Sequence, residues 1–355
     1  MDAELKSIPS TELSFDWIKS LSSHIQSELE MIRDGLGPVR NDPNYNLVRK
    51  IVLPYTTLKS RFKYQDSLKI AEIDSIHKVC PRSPLAPYFP SLLAYTSSIL
   101  VSSIDIGGGP GAYTEYFQFR YVNSMTMGFS PTGYGLGRGW DLSILDPHKL
   151  IRFYGEDYTG DLLSQWKDFV KAAQQQFMAG VNFVSATSKS ESLHDLHTLL
   201  QLYLTLLTIK DGANAIIRFH ATWSDFLVQI LYLATQTFEK VNIFQPLVSG
   251  SDSDELFLVL KHAKYNRKDY YISLNELFQN IPVDLQTIHG FIQSRLPDSF
   301  LDQIHQIKND FVQMQVETLS KIQMHLREIN DVSSQNTESV IIPNKLSEWS
   351  LPDAY

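Results

Sequence analysis

The ten residues from Ser103 to Ala112, SIDIGGGPGA, hold four glycines, Gly107, Gly108, Gly109 and Gly111. A glycine has no Cβ, so the backbone can turn sharply and a ligand can approach the main chain closely. Placed between a β-branched run and the helix-compatible stretch Tyr113–Tyr121, this loop could hold a nucleotide-like ligand at the end of a strand. A bare strand–helix connection is the alternative. His194, Asp195 and His197 have a spacing seen in some metal sites, but no further ligand cluster accompanies them, so a group on a helix surface is expected. Ser185, Ser188, Ser190 and Ser192 show no nucleophile-elbow pattern and read as an exposed loop at a strand end. The single cysteine, Cys80, excludes an internal disulfide framework and a cysteine zinc cluster.

These residues need a scaffold, and the apolar periodicity supplies one. Ser97–Ile106, Ser124–Phe129, Val181–Ala186, Ala213–Arg218, Val241–Phe244 and Leu256–Leu260 read as strands. Leu162–Phe177, Leu193–Thr208 and Asp225–Phe238 have helical spacing. Such alternation predicts an α/β fold, a mainly parallel sheet covered by helices on both faces with a last antiparallel strand. Three regions follow: a helical N-terminal extension over 1–94, a core over 95–264 and a helical C-terminal extension over 265–355. The N-terminal part carries helical patterns at 11–36 and about 57–78, then the Pro-rich segment Cys80–Pro90. Phe300–Ile329 reads as a long helix folded back on the domain, a partner coiled coil being the alternative. Leu346, Trp349 and Leu351 are expected to anchor the last residues to the body.

At 355 residues and 43% hydrophobic, the chain can bury a large core. No run of eighteen apolar residues occurs, and the first fifteen residues lack a basic stretch followed by an apolar one, so neither a membrane span nor a secretory leader is expected. The expected setting is intracellular, nuclear or cytoplasmic. The net charge of −8 has the wrong sign for strong nonspecific nucleic-acid binding. RNA would need a local basic patch or a protein partner supplying basic surface. Two basic clusters are candidates: Arg49 to Lys63, with Lys50, Lys59 and Arg61, and Lys261 to Lys268, with Arg267.

Pro110 inside the glycine loop suits an S-adenosylmethionine site better than the G-x-G-x-x-G spacing that cradles pyrophosphate. Asp105 to Arg120, DIGGGPGAYTEYFQFR, resembles the D-V-C-A-G-P-G-G-F-S-E-Y signature of eukaryotic cap-1 ribose 2′-O-methyltransferases, relatives of the FtsJ RNA methyltransferases. The likeness continues in order through Met127–Gly133, Phe153–Glu156 and Gly160–Leu162, with flanks at Tyr64–Asp74 and Lys345–Asp353. It implies a Rossmann-type class I S-adenosylmethionine-dependent methyltransferase fold acting on capped RNA. Asp105, Gly107, Gly108, Gly109, Gly111 and Phe129 would line the donor site, and Asp161 would accept a hydrogen bond from the adenine amino group.

The same resemblance implies a Lys-Asp-Lys-Glu tetrad whose central lysine acts as base toward the ribose hydroxyl. Lys69 and Glu255 match its outer positions. Thr187 falls where the family has aspartate, and Arg218 where it has the central lysine. Arginine cannot give up its proton in a protein, and threonine carries no charge. The expectation is a donor-binding fold in which methyl transfer is weak or lost, or a non-catalytic methyltransferase-like subunit. A takeover of the proton by His220 or Asp225 is the alternative.

Overall fold

A computed structural model of the chain describes residues 42–81, 100–131, 139–187, 193–279, 291–292 and 294–331. Its strands are β1 Val101–Ile106, β2 Ser124–Phe129, β3 Leu150–Phe153, β4 Val181–Ala186, β5 Ile209–His220, β6 Phe238–Phe244 and β7 Glu255–Ala263. They form one seven-stranded sheet in the order β3-β2-β1-β4-β5-β7-β6. The first five pair in parallel, whereas β7 runs antiparallel to both β5 and β6. The chain builds outward from β1 to β3, then returns to lay β4 and β5 on the other side of β1. That reversal opens a crevice at the carboxyl ends of β1 and β4, where open α/β sheets bind ligands.

The helices are α1 Tyr45–Val52, α2 Asp66–His77, α3 Ala112–Arg120, α4 Leu162–Gln176, α5 His194–Thr208, α6 Asp225–Thr237, α7 Lys268–Gln279 and α8 Asp298–Asp331. Strand side chains alternate between faces, and this splits the core in two. Ile217, Leu256, Leu258 and Leu260 face one layer with α4, α5, α6 and α7. Ile216, Phe257 and Val259 face the other, against Leu68, Ile70 and Ala71 of α2 and Tyr113, Tyr116 and Phe117 of α3. Helix α5 is apolar on nearly every side because it is buried along most of its length. Helix α6 starts where Ser224 Oγ accepts from Leu227 N at 3.0 Å, a side-chain cap for an otherwise orphan amide.

Helix α8 serves two partners along its 34 residues. Leu301, Ile304 and Phe311 join the main core. Further on, Leu319, Ile322 and Leu326 close over Val48 of α1. The strands at Ser124–Phe129 and Val181–Ala186 have the bounds read from sequence. The strand expected from Ser97 begins at Val101, and residues 97–99 lie outside the described residues. β5 extends back to Ile209, β6 starts at Phe238 and β7 reaches Ala263. Two elements, α1 and β3, were not anticipated as regular structure. The helical pattern at 11–36 and the anchoring of Leu346, Trp349 and Leu351 fall outside the described residues.

Because Ile322 is fully buried between α8 and α1, truncating it leaves a cavity. Ile322→Ala should lower unfolding free energy by about 2–4 kcal/mol, measured by urea denaturation. A change under about 0.5 kcal/mol would mean that this end of α8 does not pack on the body in solution.

Candidate functional site

The ends of the central strands are tied together by the glycine loop. Gly107 N donates to Phe129 O at 2.6 Å, and Thr187 N donates to Ile106 O at 2.7 Å. The carboxyl ends of β1, β2 and β4 thus meet at one point. Gly111 has φ +111°, and a Cβ there would come within 2.6 Å of Leu145, so glycine is required on two counts. Gly109 N donates to Ser130 Oγ at 3.2 Å. Helix α3 begins directly after the loop with no side-chain cap from Gly111, and the Thr114 backbone amide in its first turn is held by Asp105.

Asp105 lies beneath this loop and is fully buried. Thr114 Oγ1 donates to one carboxylate oxygen at 2.7 Å and Ser185 Oγ to the other at 2.8 Å. A Cβ on Gly108 would sit 2.2 Å from that carboxylate, so Asp105 and Gly108 fit as a pair and the acid buttresses the loop from inside. Burial raises its pKa to about 6 despite the two hydroxyl donors. Phe129, expected to line the donor site, stacks its ring on Phe169 at 4.8 Å and meets Phe153 edge-on, while its carbonyl oxygen accepts from Gly107 N of the loop. Ser185 corrects a sequence expectation. It is buried in β4 on Asp105 instead of lying in an exposed loop, while Ser188, Ser190 and Ser192 are outside the described residues.

Asp161 caps helix α4, its Oδ2 accepting from Ser164 N at 2.9 Å. Gly160 before it has φ +65° and rests on the Ser130–Pro131 backbone, which brings the cap to the same strand end as Gly109. One carboxylate oxygen is used by the helix; among the described residues no partner takes the other.

The four tetrad positions gather beyond the loop. Lys69 Nζ on α2 lies 2.7 Å from Glu255 Oε1 at the start of β7 and 2.7 Å from Asp66 Oδ1 one turn earlier. Ser249 Oγ adds a 3.2 Å hydrogen bond to the same Glu255 oxygen. Burial pulls the Lys69 pKa down, but Asp66 and Glu255 together outweigh it and the net shift is upward. The ammonium is therefore held charged. Arg218 on β5 is 3% exposed and its guanidinium donates to the carbonyl oxygen of Thr187. In the β5–β7 register Arg218 faces Phe257 and His220 faces Glu255, so the site spans two rungs of the ladder.

Two further residues belong here that sequence reasoning passed over. Asp66 precedes Lys69 by three on one helix face, a recognisable i,i+3 pairing. Tyr113, just after the glycines, has a buried hydroxyl with no partner among the described residues. Its pKa is pushed well up by burial first, then by Asp66 and Glu255, with Arg218 opposing. His220 is held below the ordinary histidine range by burial, His194 and Arg218, so it is neutral at pH 7. Its ring lies 4.3 Å from that of His194.

The histidine group is not on a helix surface as expected. His197 is buried, and Asp195 accepts from Thr222 Oγ1 at 2.8 Å and from Ser224 Oγ, so the acid ties α5 to the turn before α6. Among the described residues no group of three or more His, Cys, Asp or Glu side chains could hold a metal. The basic clusters divide. Lys261 and Lys264 donate to backbone carbonyls, and Arg267 is held by backbone carbonyls and by an ion pair with Asp211. Arg49 pairs with Asp252 at 2.5 Å. Lys50, Lys59, Arg61 and Lys63 stay exposed, with Arg61 over the Phe119 ring at 4.6 Å and Lys63 on Asp141 at 2.6 Å.

Comparison with known proteins places the chain among relatives. Residues 65–263 match the family model of the FtsJ-like methyltransferases. A cap-specific mRNA (nucleoside-2′-O-)-methyltransferase 1 of Dictyostelium discoideum is 25% identical over 366 aligned positions, covering 93% of this chain and 46% of that protein. The Homo sapiens protein of that name is 23% identical over 331 positions, 84% of this chain and 38% of its own length. A cap-specific mRNA (nucleoside-2′-O-)-methyltransferase 2 of Danio rerio is 29% identical over 180 positions, 48% of this chain and 24% of that protein. The chain spans less than half the length of these relatives. No helix among the described residues is long and apolar enough to cross a membrane.

The buried Asp105 makes a prediction with a definite sign. Its folded pKa, about 6, lies above the ordinary carboxylate value of 3.8. Between these two the folded state holds the proton and the unfolded state does not, so this group's stabilisation is present below about pH 4 and is lost as pH rises through about 6. Unfolding measured from pH 4 to pH 7 should show the unmodified chain losing about 3 kcal/mol relative to Asp105→Asn. Parallel pH profiles for the two proteins would contradict this picture of Asp105.

Proposed function

The chain belongs to the FtsJ-like methyltransferase family, and from that premise we propose that it is a domain of the cap-specific mRNA 2′-O-methyltransferase type. In this reading it binds an S-adenosyl ligand at the glycine loop and capped RNA beside Lys69 and Glu255, with methyl transfer weak or lost. The likeness to cap methyltransferases over most of the chain supports the substrate class. The exposed Lys50, Lys59, Arg61 and Lys63 could meet RNA phosphates. A protein partner supplying more basic surface is consistent with the net charge of −8.

The residues fit one end of S-adenosylmethionine and not the other. The open turn at Gly107–Gly111 and the spare oxygen of Asp161 suit an adenosyl group with an amino donor. The positive sulfonium is served less well. Arg218 is a fixed cation at the strand ends, Asp66 and Glu255 are engaged by Lys69, and Asp105 faces inward to Thr114 and Ser185.

A ribose 2′-hydroxyl becomes a useful nucleophile only when a base removes its proton. An arginine guanidinium cannot serve as that base, and Lys69 is held charged by two carboxylates. The observation that carries the reading is therefore the Arg218 guanidinium fixed on the Thr187 carbonyl where a base is needed. His220 is neutral near pH 7 and supports a second reading, in which it accepts the proton. The extensions over 1–94 and 265–355 are proposed to frame the core and shape the RNA-facing side.

General-base assistance is worth roughly 10²–10⁴-fold. Single-turnover methyl transfer to capped RNA should be barely measurable for the unmodified chain. It should rise at least about tenfold when Thr187→Asp and Arg218→Lys are combined, a barrier change of about 1.4 kcal/mol. Fast turnover by the unmodified chain that survives Arg218→Ala would refute the impaired-base reading. Loss of that turnover in His220→Ala would identify the histidine as base.

A further inference from the structure

We propose that Arg218, with the uncharged Thr187 beside it, makes the ligand pocket select a neutral thioether, S-adenosylhomocysteine, over the sulfonium S-adenosylmethionine. The inference rests on the adenosyl-pocket reading above and goes beyond it by naming which form of the ligand the chain retains. Position comes first. Thr187 N is bonded to Ile106 O, Ile106 precedes Gly107, and the Thr187 carbonyl takes the Arg218 donor. The guanidinium is thus two hydrogen bonds from the glycine loop, one strand beyond the reversal between β1 and β4 where a ligand enters.

Charge comes second. Arg218 makes no ion pair among the described residues, and its guanidinium donates to a neutral carbonyl. At 3% exposure its charge is screened little by water or salt. The carboxylates around it are otherwise occupied: Glu255 and Asp66 hold Lys69, and Asp105 holds two hydroxyls. Tyr113 adds a buried hydroxyl without a partner among the described residues, a second donor in the same neighbourhood. Two donors, one of them cationic, favour an atom with lone pairs and oppose a positive one.

The two ligands share every group except one methyl and one unit of charge, so contacts with the adenosyl and amino-acid parts cancel in the ratio of their affinities. That ratio isolates the electrostatics at Arg218. Thr187 carries no charge that could offset the cation.

Titration calorimetry of the full chain with each ligand tests the proposal. S-adenosylhomocysteine should bind at least about tenfold tighter than S-adenosylmethionine, equivalent to about 1.4 kcal/mol. Arg218→Met removes the charge and Thr187→Asp places a carboxylate beside it. Either change should tighten S-adenosylmethionine several-fold and leave S-adenosylhomocysteine within about threefold, and the threonine variant keeps the test available if the buried arginine is needed for folding. Equal or tighter binding of S-adenosylmethionine to the unmodified chain would overturn the selectivity while leaving the pocket reading in place. A ratio unmoved in both folded variants would show that Arg218 is not its source. Binding of neither ligand would overturn the pocket reading and the selectivity together.

Discussion

A guanidinium withdrawn from water must be satisfied inside the protein, and Arg218 is satisfied by a backbone carbonyl. That carbonyl belongs to Thr187, whose amide is itself fixed on Ile106. Ile106 ends β1, Thr187 follows β4 and Arg218 lies two residues before the end of β5, so one short relay ties the carboxyl edges of these strands together. The glycine loop springs from the same point. Its shape follows from what lies beneath it: Gly108 leaves room for the Asp105 carboxylate, and Asp105 is held in turn by hydroxyls from α3 and β4. Burying an acid there costs free energy, as its raised pKa indicates, and the two hydroxyls offset part of that cost.

The two cations of the site are treated unequally. Lys69 sits between Asp66 and Glu255, and their attraction exceeds the desolvation penalty. Arg218, deeper in the sheet, has hydrogen bonding without an opposing charge among the described residues. Exchanging lysine for arginine at such a position is not conservative, because lysine can be neutralised by burial and arginine cannot. In the proposed reading, Lys69 and Glu255 would be the outer frame of a proton-transfer centre around a group that cannot take a proton.

Much of the scaffold is legible in the sequence because the central strands are buried on both faces and read as short apolar runs. Ser124–Phe129 and Val181–Ala186 are of this kind, and their bounds follow from it. β3 has only four residues, one of them Arg152, at the edge of the sheet, and so carries no such signal. Helix α1 presents Val48 as its buried residue, and that residue finds its partners on α8, some 270 positions later. A local pattern cannot report a contact of that span. Within the site, residue types at Lys69, Glu255, Thr187 and Arg218 were readable through family likeness, and the structure brings them to one end of the sheet. What the side chains face was not readable. Phe129 turns into the core, His197 is buried and Asp161 spends an oxygen on its own helix, each decided by tertiary packing that composition and spacing do not encode.

In the reading proposed above, Arg218 stands where methyl transfer would need a proton acceptor. A crystal structure of the full chain grown with S-adenosylhomocysteine examines it most directly. The expected structure has the ligand at the glycine loop, the Arg218 guanidinium still on the Thr187 carbonyl, and Lys69 still between Asp66 and Glu255. An Arg218 side chain swung into solvent or paired with Glu255, with His220 or a freed Lys69 turned toward the ligand sulfur, would contradict it.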